Sequence, residues 1–462
     1  MKPFDDELVS GSIVRSVWKL AWPIVLMNLI NGVRGLVDQI LIGHFVEHHE
    51  ANTAVGLAWS FFLVVVVSLA SLFQGMGVLI AQSAGKQDRT GINRILFHTG
   101  LMTVYVVLLV VIPIGYALSP WLLERMQTTD EVRAYALPYL RILFLFGLPL
   151  GINFLIGTAM QSSGDPKTPL LLIVLTTVLH LLLSSALITG IGPLPKLGVM
   201  GAALGAGLAP IPSVLIGLSL IVSGKTILGL PDRFTLVPDW RLIGAILRIG
   251  IPTGIHAVVL NIGGLFLYGY IGVLETGSAA QAAYTLCYLQ LFSFVTWAAL
   301  GIRGAASALM GQNVGAGKSD RGKRGVHVAA AMGVAWAVLW GIAVWVQSDW
   351  FLGWFNADDY HVVEYGETLL RFLSVSGIFL TMALAFTGGL MGVGDTVKPM
   401  VIGFATQIVL LLGLCEIFRQ FGLLTTNSIW FSILLSHFSR YLLTHAAFHR
   451  SKGAPLAIEL RH

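Results

Sequence analysis

Long apolar stretches separated by short polar breaks dominate this sequence from end to end. The stretch Val104–Ile112 is apolar on every face, as expected for a helix surrounded by lipid. Strict alternation of polar and apolar residues, which a membrane β-barrel requires, is absent. The pattern therefore predicts an all-α polytopic membrane protein with twelve transmembrane helices, at 17–42, 53–80, 95–118, 135–160, 168–190, 198–223, 243–272, 279–309, 325–348, 363–391, 398–418 and 426–449.

The composition supports this class. Hydrophobic residues make up 56% of the 462 positions and charged residues only 11%, whereas about a quarter of an average soluble domain is charged. A soluble globular protein is excluded, because so much apolar surface could not be kept from water. Cys287 and Cys415 both fall inside apolar runs, so we expect no disulfide framework, no metal site and no cofactor.

The positive charges indicate topology. Most Lys and Arg residues outside the spans fall on the side of the membrane that holds the N-terminus, including Arg89, Arg94, Lys318 and Arg321. Since positive residues collect on the cytoplasmic side of membrane proteins, we expect a multi-pass protein of the cell membrane (inner or plasma membrane) with both termini in the cytoplasm. The formal net charge of +5 then needs no nucleic-acid partner.

The two halves of the chain repeat each other. The segment that begins at Gln82 recurs at Gln312, and Gly164-Asp165 recurs as Gly394-Asp395, both at an offset of 230 residues. Each half holds six spans, and an even number gives both halves the same orientation in the membrane. The repeat predicts two pseudo-symmetric six-helix bundles: an N-lobe at 1–223, a cytoplasmic linker at 224–242 and a C-lobe at 243–462.

Several short motifs are distributed along the chain: Pro23, Gly35-Leu36-Val37-Asp38, Gly43, Ala54-Val55-Gly56, Gln82, Gln312, the turns from Gly164 to Pro169 and from Gly394 to Pro399, and the stretch Leu197–Gly201. Together they resemble the multidrug and toxic compound extrusion (MATE) transporters over the whole chain. The resemblance implies a V-shaped pair of six-helix lobes and export of amphipathic, often cationic compounds in exchange for protons or sodium. Within this family, the DinF-like branch is the expected one.

Asp38 is the strongest candidate for ion coupling. A carboxylate within a membrane span is costly and normally faces the protein interior or a wet cavity. Asp38 lies about 30 Å along the first span from Trp18, which places it in the extracellular half. Asn28 and Asn31 lie close to the same helical face. The resemblance implies that this acid is the N-lobe coupling site; the alternative is an ordinary structural anion.

Arg34 and His180 are the expected partners of Asp38. Arg34 lies four residues before Asp38, where an intrahelical ion pair is easily formed. Such a pair either neutralises Asp38 permanently or exchanges during transport. In the fifth span, His180 and Ser184 stand where many relatives carry Asn-x-x-Leu-Asp-Pro, so the second N-lobe acid is missing. His180 is then a proton-sensing partner, because histidine titrates near neutral pH, or a residue of helix packing.

The C-lobe lacks the acids that some members of this family use for sodium. Near the corresponding positions stand Asn261 and Leu380, which favours protons over sodium as the coupling ion. Amide and aromatic side chains suit amphipathic ligands, although each could equally be a packing residue. Arg248, Arg303 and Arg440 are expected to snorkel to the interface or to cap helices. The substrate-binding candidates are Asn28, Asn153, Asn261, Tyr284, Tyr288 and Gln290.

These observations predict a transporter rather than an enzyme. The primary hypothesis is a monomeric secondary antiporter that exports amphipathic or cationic compounds in exchange for protons, with sodium as the alternative ion, and that otherwise contacts membrane lipids. A flippase or exporter of lipid-linked precursors or metabolites in the same superfamily would need a cationic central cavity, for which Arg34 is the deep candidate. A polytopic membrane enzyme would need clustered titratable groups, whereas the acids of this chain are scattered over loops.

Overall fold

The computed structural model describes residues 3–45, 49–126, 128–191, 194–353 and 359–451, without the side chains of 35–36, 38–40, 42–45, 49–50 and 52. This part of the chain is almost entirely helical. Its long helical segments, which we label α1 to α12 in chain order, are Ile13–Phe45, His49–Gly85, Arg89–Arg125, the pair Asp130–Leu145 and Gly147–Ser162, Lys167–Thr189, Val199–Val222, Trp240–Gly272, Gly277–Gly315, Ser319–Val346, Tyr360–Val393, Val397–Gln420 and Thr426–His449.

Each predicted span coincides with one of these helices, and the ends differ by at most seven residues. Within the described residues, 10 helices are long and apolar enough to cross a membrane, and 11 if the two parts of α4, bent by 50°, form one span. Helix α12 is not among these helices, because its residues are too polar on average. Its polar residues are nevertheless buried among neighbouring helices, with Ser432, Ser436 and His437 at most 3% exposed.

Three helices contain a π-helical segment: Val107–Val111 in α3, Thr285–Leu291 in α8 and Ala405–Leu412 in α11. A π-turn widens the helix and shifts the side chains that follow it, and such turns are frequent at functional sites. Hydropathy does not distinguish these segments from α-helix, so the sequence did not predict them.

The repeat is visible in the turns that end corresponding helices. Gly164 and Gly394 both adopt a left-handed conformation, with φ of 98° and 94°. The N–H groups of Asp165 and Asp395 donate to the carbonyls of Met160 and Leu390 at 2.9 and 3.0 Å. Each aspartate then accepts a hydrogen bond of 3.3 Å from a backbone N–H three residues later, at the start of the next helix. Glycine is required at these turns because its missing Cβ permits positive φ.

One compact unit comprises residues 30–250. Helix α2 packs against α3 and α4, and α5 packs against α6. The core includes Phe62 and Phe144 in an edge-to-face contact at 5.7 Å. The predicted linker docks on α3: the Asn93 side chain donates to the carbonyl of Leu230 and accepts from the N–H of Gly229, at 3.1 and 2.8 Å. The linker is therefore a fixed part of this unit.

The second unit comprises residues 5–29 and the described residues from 251 onward. Helix α10 is its centre, since α8, α9 and α12 all pack against it. The N-terminal segment is fixed within this unit. Its Leu8 is fully buried, and the Leu8 carbonyl accepts hydrogen bonds from Asn313 and Arg321 at 3.1 and 3.3 Å.

The opening part of each repeat thus packs with helices of the other repeat. In the second unit, a Cβ on Gly301 of α8 would lie 2.6 Å from Cα of Val25 in α1. In the first unit, a Cβ on Gly250 of α7 would lie 2.6 Å from the carbonyl of Ser71 in α2. Ser71 and Gly301 are counterparts at the 230-residue offset. The predicted lobes 1–223 and 243–462 follow the sequence repeat rather than this grouping, and they stay a prediction.

Candidate functional site

Helix α1 carries the predicted coupling residues. Asn28 is half-buried, and its Nδ2 donates to the carbonyl of Ile24 at 2.8 Å. Its side-chain amide is therefore hydrogen-bonded within its own helix. Asn31 is exposed and Arg34 is half-buried. Asp38 lies in the helix, but its side chain is outside the described residues. The ion pair between Arg34 and Asp38 therefore stays a prediction.

Helix α5 presents a buried polar stripe. Thr176, His180 and Ser184, spaced by four residues, are each 2% exposed. The hydroxyl of Thr176 donates to Oγ of Ser213 on α6 at 2.7 Å. The Ser184 hydroxyl is buried against Gly205 of α6, where a Cβ would lie only 2.2 Å from Ser184 Oγ, and it has no hydrogen-bond partner among the described residues. This stripe places His180 and Ser184 inside the protein rather than against lipid.

Of the predicted substrate-binding residues, the structure joins Tyr284 and Tyr288. Their rings stack at 4.9 Å, and Tyr288 lies 5.4 Å from the ring of Phe292. Asn261 is exposed and donates to the carbonyl of Ala257 at 2.8 Å. Gln290 is half-buried on α8, and Asn153 is half-buried on α4. Tyr284 directly precedes the π-helical segment of α8 and Tyr288 lies within it, and together they form an aromatic wall inside the second unit.

Sequence reasoning missed a buried guanidinium. Arg440 on α12 was expected to snorkel or cap, but it is only 4% exposed. Its Nε donates to Oγ1 of Thr406 at 3.1 Å, and its Nη2 donates to Oε1 of Gln407 at 2.7 Å. Both partners lie in the π-helical segment of α11. The expectation is wrong because these two side chains hold the guanidinium between the helices.

Two histidines complete this polar cluster. His256 of α7 is 5% exposed and its Nε2 has no hydrogen-bond partner in the part of the chain that the structure describes. Its ring occupies the space above Gly403, where a Cβ would lie 2.5 Å from Nε2. His437 of α12 shares a 2.5 Å hydrogen bond with the Ser376 hydroxyl. The sequence signal that could have revealed this cluster is the coincidence of Gln407 and Arg440 in adjacent spans.

The charge of the cluster is not balanced by nearby acids. Helices α7, α8 and α12 contain no Asp or Glu. The acid of α11, Glu416, lies about 14 Å further along the helix than Gln407, and it binds Arg419 at 2.7 Å and Tyr270 at 2.9 Å. The described residues also contain no group of three or more His, Cys, Asp or Glu that could hold a metal ion. The site is suited to polar or anionic groups rather than to a cation.

Long apolar helices, a twofold internal repeat and buried polar groups within the spans define a multi-pass membrane protein of the transporter class. The MatE family profile matches residues 23–185 and 252–417, so both halves of the chain match. The chain belongs to the MatE family. It is accordingly a transporter rather than an enzyme, and the predicted family is confirmed. The DinF-like branch stays a prediction.

The chain is similar over most of its length to proteins named as multidrug resistance or multidrug export proteins. It is 25% identical to a probable multidrug resistance protein, NorM, from Thermotoga maritima, covering 85% of this chain and 82% of that protein. It is 22% identical to the multidrug export protein MepA from Staphylococcus aureus, covering 92% of this chain and 91% of that one.

Solved structures show the same fold. One, described as the outward-facing conformation of a multidrug resistance MATE family transporter, superposes with a TM-score of 0.88 at 18% identity, over 97% of this chain and 99% of that chain. A MOP superfamily transporter from Pyrococcus furiosus superposes with a TM-score of 0.86 at 19% identity, over 97% and 98%. The predicted twelve-helix fold is confirmed.

Proposed function

We propose that this protein is a secondary antiporter that exports amphipathic compounds, among them cations, in exchange for protons. The names of the relatives NorM and MepA support export of multiple drugs. We further propose that it lies in the cell membrane with both termini in the cytoplasm, because positive residues collect on that side of the predicted spans. We also propose that it acts as a monomer.

The buried positive charge of Arg440 in the second unit is the observation that favours protons over sodium as the coupling ion. A sodium ion requires several oxygen ligands and is held best by carboxylates. There the described structure instead buries Arg440, close enough to His256 for the two to interact electrostatically, while α7, α8 and α12 lack acids. This arrangement repels a cation, and it leaves Asp38 in α1 as the deep acid for coupling.

The proposed coupling site combines Asp38 and Arg34 of α1 with His180 and Ser184 of α5, and Asn31 borders it. Protonation of Asp38 would release Arg34 from the predicted pair. If the outward-facing state has the higher proton affinity, external protons shift the population toward that state's protonated form, which displaces substrate outward. The buried stripe of α5 supports this scheme because it supplies polar groups inside the protein next to α6.

Efflux from proteoliposomes tests the coupling ion. We expect a pH gradient to drive ethidium transport at constant sodium, and Asp38→Asn to slow it at least tenfold. The control Asp130→Asn removes an aspartate whose side chain is 98% exposed and should change the rate less than twofold. His180→Asn should change the pH dependence of efflux, whereas the exposed His361→Asn should not. Transport that follows a sodium gradient and ignores the pH gradient would refute the proposal.

A further inference from the structure

The buried cluster around Arg440 has hydrogen-bonding capacity that the protein does not use. A guanidinium carries five N–H donors, and only the two bonds to Thr406 and Gln407 engage it in the part of the chain that the structure describes. The unpaired Nε2 of His256 adds a further polar atom in the same region. A buried polar atom without a partner, such as Nε2 of His256, is costly, so a ligand that bonds to it and to the remaining N–H groups of Arg440 would be stabilised.

The positive charge of Arg440 is also without a counter-ion. No described carboxylate lies within ion-pair distance, and the half-buried Arg303 of α8 adds a second positive charge that interacts electrostatically with His256. Removing an ion from water costs several kcal/mol unless an opposite charge compensates it. Charged residues within membrane spans are therefore functional candidates. The charges of this site are complementary to an anion.

Comparison of the two repeats argues against a purely structural role. Thr176 of α5 is the counterpart of Thr406 of α11 at the 230-residue offset. In the first half, Thr176 is joined to α6 by the neutral hydroxyl of Ser213 at 2.7 Å. In the second half, Thr406 is joined to α12 by the guanidinium of Arg440. Because a hydroxyl suffices to connect these helices, the charge of Arg440 is additional to what the fold requires.

The surroundings of Arg440 fit an aromatic or amphipathic anion. Thr406 and Gln407 lie in the π-helical segment of α11, and Tyr288 lies in that of α8. Tyr288 is close enough to Arg440 to interact with it electrostatically. The ring of Tyr288 also stacks on the ring of Tyr284. A planar carboxylate matches the planar fork of an arginine, and the tyrosine rings offer an apolar surface beside it.

We propose that Arg440 and His256 form a carboxylate-binding site in the second unit, so that the exported compounds include amphipathic molecules that carry a carboxylate. This inference rests on the proposed export function and names one further class of substrate for it. Gln407 and Thr406 orient the guanidinium, and Tyr288 with Tyr284 contacts the apolar part of the ligand.

Binding of a matched pair of probes tests the site. We suggest equilibrium dialysis of 1-naphthoate and the neutral 1-naphthamide against the full-length protein in phosphatidylcholine nanodiscs. We expect saturable naphthoate binding that Arg440→Gln weakens at least tenfold, while naphthamide binding changes less than twofold. The control Arg419→Gln removes an arginine that is paired with Glu416 outside the cluster, and it should leave both affinities unchanged.

A second variant keeps the test decisive if Arg440→Gln does not fold. Gln407→Glu places a carboxylate within reach of Arg440, because Oε1 of Gln407 already lies 2.7 Å from Nη2. This internal anion should compete with the ligand, so naphthoate binding should fall at least tenfold while the melting temperature is maintained or raised. Equal affinity of the wild type for naphthoate and naphthamide, or full naphthoate binding by Gln407→Glu, would overturn the proposal.

Ethidium efflux separates this inference from the proposed function. Proton-driven ethidium efflux without Arg440-dependent naphthoate binding would reject the carboxylate site alone. Arg440-dependent naphthoate binding in a protein that moves neither ethidium nor naphthoate under a pH gradient would reject the antiport function and retain the site.

Discussion

At Gly205, helices α5 and α6 approach to backbone contact. A Cβ at this position would lie 2.2 Å from Oγ and 2.6 Å from the backbone N of Ser184. Small residues permit such approaches between membrane helices, where packing rather than the hydrophobic effect drives association. The contact fixes the face of α5 that carries His180 and Ser184.

We expect Gly205→Ala to destabilise the protein by about 1–3 kcal/mol, because a backbone atom cannot move aside as a flexible side chain would. Gly100→Ala in α3 is the matched control, since its Cβ would meet nothing within 4 Å. That change should be neutral or should stabilise the helix by up to about 1 kcal/mol. Thermal unfolding of the purified variants measures both. Equal melting temperatures for the two variants would contradict the close approach.

The sequence predicted the position of a single side chain only where a polar residue lay deep within an apolar span. His180 and Ser184 stood out within an apolar span, and both are buried as an interior role requires. Arg440 was misread because it lies in the half of its predicted span nearer the cytoplasm, from which a long arginine side chain can snorkel to the interface. Its burial depends on Thr406 and Gln407 of another helix, and such a tertiary contact cannot be read from hydropathy.

The linker between the two repeats is held by a network centred on Asp239. Its carboxylate binds the Arg94 guanidinium at 2.6 Å and accepts hydrogen bonds from the N–H groups of Arg241 and Leu242, at 3.1 and 3.2 Å, at the start of α7. Burial by itself would raise the pKa of Asp239, but the Leu242 hydrogen bond and Arg94 outweigh it and lower the pKa. Asp239 therefore both caps the start of α7 and holds the linker against Arg94 of α3.

We expect Asp239→Ala to release the linker, at a cost of about 1 kcal/mol or more for the lost cap. Trypsin cleavage after the exposed Arg233 measures the release and should accelerate several-fold. The control Asp130→Ala alters an exposed carboxylate at the start of α4 and should leave the cleavage rate unchanged. Unaltered cleavage of Asp239→Ala would show that the remaining contacts, such as those of Asn93, hold the linker alone.

The same network predicts a pH dependence. Because the folded-state pKa of Asp239 is lowered, its contribution to stability is present above the unfolded value of about 4 and is lost as the pH falls through the folded value. The difference in melting temperature between wild type and Asp239→Asn should therefore be constant from neutral pH down to about 4 and should shrink as the pH falls further, through the folded-state pKa of Asp239. A difference that does not shrink as the pH falls below about 4 would contradict this assignment.

Elements were the most predictable level of the structure. Each apolar run became a helix because the bilayer leaves few other ways to satisfy the backbone hydrogen bonds. The break of 50° within α4 and the three π-helical segments were not predicted, since their residues are as apolar as those of regular helices. These irregularities matter for function, because two of them position Tyr288, Thr406 and Gln407.

For the whole molecule, the sequence repeat predicted two related halves, and the paired turns at Gly164 and Gly394 support it. It did not predict that residues 5–29 pack with the second half, or that residues 240–250 pack with the first. The packing of each of these segments with helices of the other half depends on close backbone approaches at Gly301 and Gly250. The positions of residues in the sequence repeat do not reveal such approaches. Each of α1 and α7 therefore contributes residues to both units.

Proton release on substrate binding is the most direct test of the central claim that export is coupled to protons through Asp38. Purified protein in weakly buffered detergent near pH 7 would be titrated with tetraphenylphosphonium while a pH indicator records the released protons. The account predicts release from the wild type and from Asp130→Asn, and less than a tenth of that release from Asp38→Asn. Equal release from Asp38→Asn, or binding of the cation to the wild type without any proton release, would contradict it.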